Sequence, residues 1–96
     1  MAMQLNEVQL QELEEFASLL MSPDDIATIL QISAESLRKE IKSKEGPIYT
    51  AFVRGKLITE AALRKTTINF AKQGSTPALT AALKLRDEQN IKLLNK

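Results

Sequence analysis

The segment Met21–Lys44, MSPDDIATILQISAESLRKEIKSK, decides how the chain is read. Ser22 is placed to cap a helix whose first residue is Pro23, with Asp25 three places on in the capping-box position. Ile26, Ala27, Ile29 and Leu30 continue as an apolar stripe at helical spacing. Ser33 is placed to cap a second helix, from about Ala34 to Lys42, in which Leu37 and Ile41 face inward together. Between them Leu30-Gln31-Ile32 leaves room only for a sharp corner, and that corner holds no glycine to take a positive φ cheaply. The pattern predicts a helix-turn-helix whose second helix can enter a DNA major groove. Two short helices in a wholly structural helical protein have the same pattern.

With Leu37 and Ile41 inward, steps of about 100° per residue turn Glu35, Lys39, Lys42 and Ser43 outward and leave Ser36 and Arg38 on the flanks. Arg38 has the reach for a guanine edge or a phosphate, while Lys39 and Lys42 suit phosphates, with some reach to bases. Glu35 would have to accept from a cytosine amino group or tolerate phosphate nearby. The plainer alternative is a solvated face of alternating charge. In it Glu35 and Lys39 form one i,i+4 pair worth about 0.3 kcal/mol.

The chain has 96 residues, enough for one compact unit or a small head with a helical tail. At this size only roughly 60–65% of the unfolded surface is buried, so self-association would add useful stability. Cysteine and histidine are both absent, which excludes disulfides, thiolate zinc sites and cysteine or histidine catalysis. No basic patch precedes an apolar run at the N-terminus, so no signal peptide is expected and a cytoplasmic location fits. The longest uncharged run, Gln73–Leu83, is far too short for a membrane span. The net charge of +1 is unevenly spread. Through Ile32 there are six acidic residues and no basic one; from Ser33 to Glu45, four basic and three acidic; from Gly46 onward, nine basic and three acidic. A local basic surface can steer DNA even when the whole chain is nearly neutral. The acidic first helix could repel phosphate or face a basic neighbour in an oligomer.

Upstream, Met1–Gln4 is expected to fray. Asn6, with Gln9 as its reciprocal partner, should cap a helix running to about Leu20. Its apolar positions are Val8, Leu10, Leu13, Phe16, Ala17 and Leu20, with Phe16 expected to anchor a three-helix core against Ile26, Leu30 and Leu37. Downstream, Gly46-Pro47 is the clearest break. From Pro47 the pattern is helical to about Gln73, either one long arm or two helices kinked near Gly55-Lys56. Gly74 closes it, and a last helix should run to about Leu94, with Thr76 as cap and Pro77 first. Leu79, Ala82, Leu83 and Leu85 are its packing positions. The expected organisation is all-α: a helix-turn-helix head over 1–45 and a long antiparallel helical hairpin over 46–96. The hairpin's apolar positions are too widely spread for one partner, which in so short a chain implies a second subunit.

No catalytic constellation emerges. Glu14-Glu15 and Asp24-Asp25 are the only carboxylate pairs, and neighbouring residues on a helix point in different directions. Asp24 and Asp25 also sit where a helix N-terminus favours acid. Calcium-loop spacing, a phosphate-binding glycine loop and a nucleophile elbow are all missing from the sequence. No enzyme activity, metal or cofactor is expected.

Several segments together resemble the small terminase subunits of tailed bacteriophages and prophages. SPDDIATILQISAESLRKEI is similar to their N-terminal DNA-binding motif, and FVRGKLITEAALRKTTINFAKQGSTPALTAALKLRDEQ to the tract that follows it. The matching pieces are Arg54-Gly55, Ala71-Lys72-Gln73-Gly74-Ser75 with Ala78, and Leu83-Lys84-Leu85-Arg86, so that the likeness covers roughly residues 7–88. The family often closes its last helix with an asparagine-arginine pair where this chain has Leu85-Arg86, and many members are longer. The resemblance implies a homeodomain-like head that binds double-stranded DNA in the host cytoplasm. It also implies a homo-oligomeric ring and a large ATPase/nuclease subunit to which the DNA is handed. Positions carried over for DNA contact are Ser33, Ser36, Arg38, Lys39 and Lys42; geometry adds Glu35 and Ser43. A small helix-turn-helix regulator of a mobile element would share the same head, and a helical protein-interaction module would share only its pattern.

Overall fold

Three polar caps start the first three helices where the sequence places them. Asn6 accepts the Gln9 amide at 2.8 Å while its own amide donates to Gln9 Oε1 at 3.0 Å. Ser22 Oγ accepts the Asp25 amide at 3.2 Å, ahead of Pro23. Ser33 Oγ accepts the Ser36 amide, also at 3.2 Å. The computed structural model describes residues 3–94. Its helices are α1 (Glu7–Ser18), α2 (Pro23–Leu30), α3 (Ala34–Lys42), α4 (Gly46–Lys72) and α5 (Thr76–Leu94). Among the described residues there is no strand.

Each of the first three helices ends on a residue in the left-handed region: Leu20 at φ 61°, Gln31 at φ 58° and Lys44 at φ 59°. At Gln31 the bonds are those of a Schellman motif. The Ile32 amide reaches back to the Ala27 carbonyl at 3.0 Å and the Gln31 amide to Thr28 at 3.3 Å. The corner thus takes the positive φ without a glycine, and two otherwise unsatisfied carbonyls are bonded in return. Leu20 repeats the arrangement, with Met21 N–H to the Phe16 carbonyl at 3.4 Å and Leu20 N–H to Ala17 at 2.9 Å.

The chain gathers into two units, Met1–Glu60 and Ala61–Lys96, so the division falls inside α4 and not at the 45/46 break. In the first unit the fully buried apolar residues are Leu13, Ala17, Ile26, Ala27, Leu37 and Ile48. Ile48 explains the displaced division, because the start of α4 supplies part of the core. Phe16 is not the central anchor; it is half-buried and packs at the edge. Leu13 and Ala17 are one helical turn apart and share the inward direction, whereas Phe16 is rotated from Ala17 by about 100°. Val8, read as a packing position, is 63% exposed. The N-terminus also differs from the frayed segment expected. Met3 donates its amide to Glu40 Oε1 at 3.2 Å, and Met3 and Leu5 pack on the core; Met1 and Ala2 lie outside the described residues.

Gly55 explains how α4 fits against α1. The helix runs unbroken through it from Gly46 to Lys72, so it marks no helix boundary. A Cβ added there would lie 2.2 Å from the Glu14 carbonyl oxygen and 3.1 Å from Ala17 Cβ. Only a residue without a side chain lets the two backbones approach this closely. The contact is flanked by Arg54 Nε to Glu14 Oε1 at 3.6 Å and by the Thr59 hydroxyl donating to the Ser18 carbonyl.

The second unit is built differently. Gly74, at φ 99°, turns the chain after α4, with its amide on the Ala71 carbonyl and the Ser75 amide on Phe70, both at 3.1 Å. Ser75, not Thr76, caps α5: its hydroxyl accepts the Ala78 amide at 3.3 Å, which puts Thr76 first and Pro77 second. No residue of α5 is buried. Of its expected packing positions Ala82 and Leu85 are half-buried, while Leu79 and Leu83 remain exposed. Among the described residues no helix is long and apolar enough to cross a membrane.

Candidate nucleic-acid interface

The outer face of α3 rests on an inner face that cannot turn. Leu37 is wholly buried and Ile41 half-buried, which fixes the rotation of this nine-residue helix. Glu35, Arg38, Lys39, Lys42 and Ser43 are exposed, and Ser36 is half-buried on the flank. The lysines lie in the last turn, where the helix dipole favours positive charge.

Not all of these side chains are free for a ligand. Ser33 Oγ serves as the cap of α3. Ser43 Oγ donates to the Glu40 carbonyl at 2.6 Å and accepts the Glu45 amide at 3.4 Å, closing the helix at its other end. Both serines therefore hold the ends of α3, and their hydroxyls are engaged locally. Lys39 Nζ lies 3.6 Å from Glu35 Oε1. Arg38 Nη1 pairs with Asp24 Oδ1 at the start of α2.

That last contact is absent from the sequence reading, which assigned Asp24 to the helix N-terminus alone. Fourteen residues separate the pair along the chain, and only the tight corner at Gln31 brings them together. The pair is well exposed, the Arg38 side chain at 47% and Asp24 at 62%, so water and salt screen it and an incoming phosphate can compete for the guanidinium. The outer side of α3 is thus a small cationic face of Arg38, Lys39 and Lys42, edged by Glu35 and Asp24.

Charge over the two units is opposite in sign. The sequence from 1 to 60 holds six basic and ten acidic residues, and from 61 to 96 seven basic and two acidic. In the second unit, Arg64 and Ile68 of α4 and Leu85, Arg86 and Lys92 of α5 line one open groove of about 450 Å³. Among the described residues, no group of three or more acidic side chains is placed to hold a metal ion. No family model matches the chain, and no curated protein or solved structure matches it.

Proposed function

We propose that the chain is a non-catalytic, duplex-DNA-binding protein of the small-terminase type. In this reading α1–α3 work as a homeodomain-like helix-turn-helix head and α3 lies in the major groove. Residues 46–96 fold as an antiparallel helical hairpin through which copies assemble, and a large ATPase/nuclease subunit receives the DNA. The observation that carries the reading is the exposed Arg38–Lys39–Lys42 face on a short helix held in rotation by buried Leu37. A helix so fixed presents the same side chains on every approach, which groove recognition requires. The second unit supports the assembly part of this reading, since apolar side chains such as Leu63, Phe70, Leu79 and Leu83 are 42–55% exposed and α5 has no fully buried residue. Several weak heads on one assembly would add their affinities.

The test is a titration of labelled duplex with the full chain over a range of salt concentrations. Affinity should fall steeply with salt, and Lys39→Gln or Lys42→Gln should each lower the log–log slope by about one ion equivalent. Unchanged slopes in both variants would remove α3 from the interface. A second reading, a protein-interaction module, draws on the ion pairs that occupy Arg38 and Lys39. It predicts no salt-dependent duplex binding at all. Light scattering separates a packaging-type ring from the dimer that a regulator on a two-fold site would form.

A further inference from the structure

The groove of the second unit has an apolar floor, Ile68 and Leu85, and a cationic rim, Arg64, Arg86 and Lys92, with Glu88 as its one carboxylate. Arg86 also meets its neighbour Asp87 at 3.3 Å. A bare phosphate backbone would use the rim and leave the floor wet. A helix carrying both carboxylates and apolar side chains on one stripe would use both. The outer side of α1 is such a stripe. Val8, Glu12, Glu15 and the C-cap residue Leu19 follow one another at helical spacing, opposite buried Leu13 and Ala17. Val8 is 63% and Leu19 66% exposed, with Glu15 exposed and Glu12 half-buried between them.

We infer that the α1 stripe of one copy seats in the α4/α5 groove of a second copy, carboxylates against the Arg64 and Lys92 rim and Val8 and Leu19 toward the floor. The inference rests on the assembly proposed above and names its surfaces. The two patches differ, one on each unit, so each contact joins a stripe to a groove and not like to like. Two copies can satisfy it reciprocally, each stripe in the other's groove; where they do not, the contact runs head-to-tail and closes as a ring or continues as a filament. It also accounts for the opposite charge of the two units, with the acidic first helix facing a neighbour and not the DNA.

Sedimentation of the full chain tests it with two charge-reversed variants, Glu12→Lys/Glu15→Lys and Arg64→Glu/Lys92→Glu. Wild type should form a dimer or larger species at low salt and lose it as salt rises. Each variant alone should sediment as a monomer with its helical circular dichroism unchanged. An equimolar mixture should recover the wild-type species, because each copy then offers a surface complementary to the other. Recovery on mixing cannot come from misfolded chains. The inference is overturned if wild type is monomeric, if either variant assembles unaided, or if mixing restores nothing. It is equally overturned if Arg64→Glu/Lys92→Glu abolishes duplex binding while the assembly stays intact, since the groove would then belong to nucleic acid. Lys39→Gln/Lys42→Gln leaves these masses untouched, so loss of the DNA reading and loss of the interface give different results.

Discussion

Two single residues carry backbone demands that can be checked directly. Gln31 holds φ 58° at the α2–α3 corner, a conformation costing a residue with a Cβ about 1–2 kcal/mol. Glycine takes it freely but loses roughly 0.5–1 kcal/mol through its more flexible unfolded chain. Gln31→Gly should therefore stabilise the protein by about 0.5–1 kcal/mol in urea unfolding, with duplex affinity unchanged because Gln31 lies off the cationic face. Gly55 makes the opposite demand. An alanine there gains about 0.8–1 kcal/mol of helix propensity. Its Cβ, however, would stand 2.2 Å from the Glu14 carbonyl, and forcing α1 and α4 apart costs about 1–3 kcal/mol or more. Gly55→Ala should lower stability by roughly 1–2 kcal/mol in the same assay; a neutral or stabilising result would mean that the helices separate without loss. The likeness in sequence marked Arg54-Gly55 as a unit, but a kink was the only local use of the glycine that the sequence suggested. Its role depends on a carbonyl of α1, far away along the chain.

At the scale of elements, α3 is too short to persist without its neighbours and its caps. The sequence offers Ser33 both as a cap and as a DNA contact, and the structure shows the cap bond at 3.2 Å. Ser33→Ala should cost about 1 kcal/mol, while Ser33→Asn, an equally good cap, should stay near wild type. Weakened duplex binding by a fully stable Ser33→Asn would show that the hydroxyl itself meets the nucleic acid. The bounds of α3, the starts of α1 and α2, and the outward turn of Lys39 and Lys42 were legible in the sequence, because capping and a 100° step are local rules. The Arg38–Asp24 pair, the entry of Ile48 into the core and the displacement of Phe16 by Leu13 were not. Each depends on how one helix lies on another, which short-range pattern leaves open.

The two units are held by different means, and this sets what the whole molecule should do on heating. The first has a core in which Leu13, Ile26 and Leu37 are fully covered. In the second, no residue of α5 is fully buried, Ala78, Ala82 and Leu85 being half-buried, and Leu63, Phe70, Leu79, Leu83 and Ile91 all stand at least 42% exposed. A helix whose inner face is only half-covered is marginal in water, since most helical stability in proteins comes from packing. If copies supply the missing packing, the helicity of the second unit is linked to association by mass action. Circular dichroism melts should then separate by concentration. The transition of the first unit stays fixed, while that of the second moves to lower temperature on a roughly hundredfold dilution, because fewer partners are bound. High salt should produce a shift in the same direction if the acidic stripe and basic rim hold the copies together. A single transition independent of both dilution and salt would show that α4 and α5 are stable without any neighbour, and the exposed apolar side chains would then need a different occupant.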